Sequence, residues 1–236
     1  MIKTSSLIKR ISLIFLLGGV LYFFIESFAD LSEIYNSAGK DFFLINGLLD
    51  TGSRNLVTAI YLDYRLFDSL FEAGILLIAV SGVMWVSEHK ITEKNANFML
   101  DKQKTPELFI TFSRLLYPVM LLFGMYVVVN GHISPGGGFQ GGAIIATAIL
   151  ILYYIDIRKT IEISLILTIE KFLFIFLFSL AFVSVFTRGE LFTNFFPPSW
   201  GMDYQVLYLY LLNILIGAKV SLGLIAIFTA FLKEGR

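Results

Sequence analysis

Six stretches of this chain, roughly residues 11–28, 66–86, 108–130, 141–155, 161–186 and 206–232, are apolar over close to the length that crosses a bilayer. A helix rises about 1.5 Å per residue, so a hydrocarbon layer of about 30 Å asks for about 20 apolar residues. Inside that layer the backbone finds no water, and a helix is how a single segment satisfies its own amides and carbonyls. The sequence therefore predicts an all-α integral membrane protein with about six transmembrane helices. Only 15% of the 236 residues are charged, against about 25% in a soluble domain. Formal net charge is zero, so no nucleic-acid partner is implied, whereas lipid is.

Lys and Arg in the connections set the orientation. Eleven fall on the side of the two termini and three on the other, with Arg65, Arg114, Lys171 and Lys219 in or beside spans. Both termini are expected in the cytoplasm. The first span also has the basic start and apolar middle of a signal peptide, but no small-residue cleavage site follows, and Glu26 and Asp30 stand where one would be. It is read as a retained helix. Residues 88–105 are the one charged linker, so the chain divides into a two-helix module at 1–87 and a four-helix module at 106–236. No cysteine and two histidines exclude a disulfide framework, iron–sulfur ligation and a dithiol, and make a zinc site poorly founded. No cofactor or metal is expected. Nor does the chain hold a Gly-x-Ser-x-Gly elbow or a His-Glu-x-x-His zinc motif, so an intramembrane enzyme has no support.

Between the third and fourth spans runs His132-Ile133-Ser134-Pro135-Gly136-Gly137-Gly138-Phe139-Gln140-Gly141-Gly142. Gly136, Gly138 and Gly141 satisfy a dinucleotide fingerprint by spacing, yet no strand precedes them, so the match is spurious. Glycines this dense permit positive φ or close approach of a second backbone. Two readings follow: tight packing against other subunits, or a loop lining a hydrated path. His132 reads as a hydrogen-bonded end residue, or as a proton-handling group by virtue of its titration range.

Three further polar groups stand out. Arg65, Asp68 and Glu72 would share a face at the start of the second span, where two acids four residues apart need Arg65 as compensation or a shared proton. Lys219 lies near the middle of the last span, where an unpaired charge costs about 2.5–3.5 kcal/mol. Glu170, beside Lys171 in the fifth span, is the acid placed to pair with it. Asn213, Gly217 and Ser221 repeat every four residues along the last span, which reads as a close helix contact. A Glu170–Lys219 pair is either a strut that fixes helix orientation or a switch in an ion path.

The glycine motif from His132 to Gly142, followed by a helix and a last span containing Asn213-x-x-x-Gly217-x-Lys219, resembles the B subunit of Mrp-type (Mnh) sodium/proton antiporters over roughly residues 108–236. The stretch Val57-x-x-Ile60-x-x-Asp63-Tyr64-Arg65-x-Phe67-Asp68-Ser69-Leu70-x-Glu72 resembles the C-terminal segment of the antiporter A subunit. A fusion of the two is similar to the E subunit of energy-converting membrane-bound hydrogenases. The resemblance implies an accessory, non-catalytic, multi-pass subunit of an ion-translocating complex in the cytoplasmic membrane of a prokaryote. Its implied partners are other antiporter subunits, the large ones included, and in one variant nickel–iron hydrogenase subunits. Asp68, Glu72, His132, Glu170 and Lys219 are then the ion-path candidates, and a stand-alone transporter or a purely structural subunit are the alternatives.

Overall fold

A computed structural model describes residues 2–31, 37–88, 106–155 and 162–234. Every regular element among them is helical. The protein is an all-α integral membrane protein. The chain divides at Phe42/Phe43 into two compact units. The first holds α1 (Ile2–Leu31) and the beginning of α2 (Ala38–Thr51). α1 carries exposed apolar side chains all round, Leu13, Phe15 and Phe23 among them, as befits a helix whose solvent is lipid rather than water.

The second unit continues with α3 (Leu56–Ala59), a π-helical turn at Ile60–Tyr64, and α4 (Leu66–Glu88). Asn55 caps α3, its Oδ1 accepting from the Val57 amide at 3.1 Å. The π-turn closes with Arg65 N donating to the Ile60 carbonyl at 2.8 Å. Ser69 Oγ donates to the Tyr61 carbonyl at 2.5 Å, occupying an acceptor in the wider turn. α5 (Glu107–Val129), α6 (Gly138–Ile155), α7 (Ile163–Arg188) and α8 (Met202–Glu234) complete the bundle. α7 stops at Gly189, whose φ of 75° lets its amide bond back to Val185. Pro118 sits within α5, a placement membrane helices tolerate.

Among the described residues, four helices are long and apolar enough to cross a membrane: Leu66–Ser87, Glu107–Val129, Ile163–Arg188 and Met202–Phe231. Ile11–Glu26 and Gly138–Tyr153 are shorter apolar stretches, which brings the apolar helices among the described residues to the six expected. The linker expected at 88–105 falls outside the described residues beyond Glu88.

α8 is the axis of the second unit. It packs against α4, α5, α6 and α7, while α6 is held between α5 and α8. Leu62, Leu66 and Leu70 meet Leu177 of α7 and Leu209 and Leu212 of α8 in the core. Burial follows that placement: 56% of the best apolar window of α8 is buried, against 22% for α4 and 17% for α7.

Candidate functional site

Two polar assemblies interrupt the apolar bundle, both centred on α8. In the first, Lys219 and Glu170 lie 3.0 Å apart, Nζ to Oε1, each with no exposed surface. Lys219 Nζ also donates to the Ala73 carbonyl of α4 at 2.5 Å and lies 5.9 Å from the centre of the Phe174 ring. The ion pair thus ties α8 to α4 and α7 at once. Both Glu170 oxygens are buried without a well-aligned hydrogen bond among the described residues, so the carboxylate is held by charge rather than by a full donor shell. A buried carboxylate of this kind is costly, and its compensation rests on the Lys219 ammonium. Glu170–Lys219 is the pairing expected from the sequence. Lys171, the next residue, is exposed.

The second assembly lies at the end of the bundle where α4 and α8 begin. Asn213 Oδ1 accepts from Tyr61 Oη of the π-turn at 2.6 Å and from the Gly138 amide at 2.8 Å. Asn213 Nδ2 is buried and has no partner among the described residues. The loop leading to α6 is held by the segment before the π-turn. Asn55 Nδ2 donates to the carbonyls of Gly131 at 2.7 Å and Ser134 at 2.8 Å. Thr58 Oγ1 donates to the Gly131 carbonyl at 2.6 Å and Ser53 Oγ to that of His132 at 2.9 Å. His132 packs edge-on against Tyr210, 6.0 Å between centres. Burial lowers the pKa of its imidazole, with the nearby Val129 backbone acting the other way.

The boundary of the glycine motif is revised. α6 begins at Gly138, so Gly138, Phe139, Gln140, Gly141 and Gly142 belong to its first turns, and the loop proper is His132–Gly137, with Pro135 in it. The close packing is also internal to the chain. A Cβ on Gly138 would stand 2.6 Å from the Asn213 carbonyl oxygen, and one on Gly142 would stand 2.6 Å from that of Gly217. Within this chain, the second backbone that Gly138 and Gly142 admit is α8, at the Asn213–Gly217 contact. Phe139 packs on the core cluster.

The acids of the second span are also revised. Arg65 precedes α4, with φ −131° and ψ 36°, because the π-turn ends there. It forms an ion pair with Asp68. Glu72, further along α4, is exposed and outside that pair, so Arg65 compensates one acid and not both. Asp68 and Arg65 are both more than half exposed, which makes their pair a weak contributor to stability.

Asn55, Thr58 and Tyr61 carry no site reading in the sequence, and Asp63 enters it only as a motif position. The signal present for Asn55 is an N-cap residue just before an apolar run, and Asp63 is a position of the A-subunit-like motif; for Tyr61 there is none, because the π-turn that aims it has no sequence signature of its own.

Residues 108–226 match the family model for a domain related to the MnhB subunit of Na+/H+ antiporter. The chain belongs to that family. Among curated relatives, an uncharacterised protein of Methanocaldococcus jannaschii is 35% identical over 112 residues, covering 41% of this chain and 42% of that one. The B subunit of the Na(+)/H(+) antiporter of Bacillus subtilis is 38% identical over 64 residues, covering 27% of this chain and 45% of the relative. The chain thus spans less than half the length of these curated relatives. Among solved structures, a chain of the membrane-bound sulfane sulfur reductase, an archaeal respiratory membrane complex, superposes with a TM-score of 0.75 at 27% identity, over 95% of this chain and 98% of that one. A chain of the Mrp complex from Dietzia sp. DQ12-45-1b superposes at 0.57 over 88% of this chain and 26% of its own, at 23% identity. That second likeness speaks to the fold.

Proposed function

We propose that this MnhB-related chain is an accessory, non-catalytic membrane subunit of a multisubunit ion-translocating complex of the antiporter or respiratory type. The likeness to a chain of an archaeal respiratory membrane complex over 95% of the length carries this reading. The partners are other antiporter-type subunits, the location is the cytoplasmic membrane of a prokaryote with both termini inside, and the chain joins an A-tail-like module at 1–87 to a B-like module from 106 onward.

Within that complex the Glu170–Lys219 pair is the chain's contribution to ion movement. The ammonium is neutralised by a single carboxylate that lacks other donors, so a change of proton or ion occupancy at either group unbalances the pair and the three helices it joins. His132, Asp68 and Glu72 are second-rank candidates for the same path.

Affinity purification of the tagged chain from its native membrane in mild detergent tests the assignment. An accessory subunit elutes in an assembly several times its own 26.6 kDa together with hydrophobic partners. Recovery of the chain alone, active in sodium or proton exchange after reconstitution, would establish a stand-alone transporter and overturn the proposal.

A further inference from the structure

A cavity of about 430 Å³ opens where the π-turn meets the end of α2, the end of α7 and the start of α8, and Asp50, Asp63, Tyr64, Arg188, Glu190 and Gln205 are among its lining residues. Asp63 stands in its wall. Its Oδ1 accepts from the backbone amide of Asn194 at 3.1 Å, which leaves the second carboxyl oxygen free of that bond. The charged and titratable groups facing it are Asp50 from α2, Tyr64 from its own turn, Arg188 from α7, Glu190 from the loop after α7, and Tyr208 from α8. Most of these are already engaged. Tyr64 Oη donates to Asp50 at 2.6 Å, while Arg188 donates to the Asn194 carbonyl at 3.1 Å and lies 3.9 Å from Glu190. Among the described residues, three carboxylates therefore share the cavity with one guanidinium, which lies nearest to one of them, Glu190.

We propose that Asp63 is a proton-accepting site that opens on this cavity at the end of the bundle where α4 and α8 begin. A hydronium ion in the cavity gives its proton to the carboxyl oxygen not held by Asn194. One O–H bond breaks on hydronium, one forms on the carboxyl, and a water molecule remains. Burial favours the neutral acid most, the Asn194 amide and Arg188 oppose it, and Asp50 and Glu190 add to it. The balance pushes the carboxyl up to about 6, so it exchanges its proton close to neutral pH. As an entry port for the path, this role rests on the ion-translocating reading above; the titration itself does not.

The two are separated by measuring them apart in the intact complex. Infrared difference spectra recorded as a function of pH report a protonated carboxyl directly, with no transport needed. A carboxyl signal that titrates near pH 6 and is missing in Asp63→Asn is the expected result. Asp50→Asn removes a neighbouring negative charge and should move the midpoint to lower pH, and Arg188→Gln should move it to higher pH. These two variants keep the test decisive if Asp63→Asn does not assemble. A spectrum unchanged in Asp63→Asn, or a midpoint unmoved by both neighbours, overturns the proposal. Loss of the signal with full, normally pH-dependent ion uptake would retain the proton site and reject its place in the path.

Discussion

An ammonium with no exposed surface has to be neutralised by its own surroundings, and among the described residues Lys219 has one carboxylate and one carbonyl to do it. Removing either charge of the pair leaves the other buried and alone. Lys219→Ala or Glu170→Ala should each cost about 3–5 kcal/mol of stability, read as a lowered melting temperature of the purified assembly. The double substitution should recover most of the loss. At Asn213 one oxygen serves two donors, so Asn213→Leu strands the Tyr61 hydroxyl and the Gly138 amide at about 1–3 kcal/mol apiece. Asn213→Asp keeps the acceptor and should be milder. His132 gives a pH dependence of known sign. Its folded value is lowered by burial, so its neutral form is favoured. That contribution is present above the unfolded value of about 6.5 and is lost as pH falls below it. The protection of the Ile133 and Ser134 amides against hydrogen exchange, taken relative to their intrinsic rates, should fall on acidification through that range, and the fall should vanish in His132→Gln.

At the scale of elements, the α6–α8 contact depends on the absence of side chains at two positions about one turn apart. Gly142→Ala should destabilise the bundle by about 1–3 kcal/mol, because its Cβ would meet a carbonyl oxygen and backbone cannot step aside as a side chain can. Gly82, where a Cβ would meet nothing within 4 Å, is the control: Gly82→Ala in α4 should be neutral or slightly stabilising. Thermal melts of the solubilised chain compare the two. The existence of the glycine contact was legible in Gly138, Gly142 and Gly217. The neighbour was not, because small residues announce a close approach without naming what approaches. The π-turn was illegible for a different reason. Leu56, Ile60 and Tyr64 keep a helical spacing, and one extra residue in a hydrogen-bonded ring leaves that spacing almost untouched, yet it aims Tyr61 at Asn213 and Asp63 at the cavity.

For the whole molecule, the number and type of helices were plain because a bilayer imposes one length and one kind of backbone satisfaction. Which helix is central was hidden. α4 and α8 have nearly the same mean hydropathy, yet their buried shares are 22% and 56%, since lipid-facing and core-facing sides are equally apolar. The proposed orientation predicts that single cysteines at Asn97 and Ser199 in this Cys-free chain react from opposite sides, Ser199 first with an external reagent; the reverse order would invert the topology. The central claim, that the chain takes part in ion movement and does not merely brace the complex, is tested most directly by the Lys219→Ala, Glu170→Ala double variant in membrane vesicles, with assembled complex and ion uptake scored separately. The account predicts that this variant assembles in normal amount and takes up ions poorly. Uptake at the unmodified level by the assembled double variant would contradict it and leave the pair a strut.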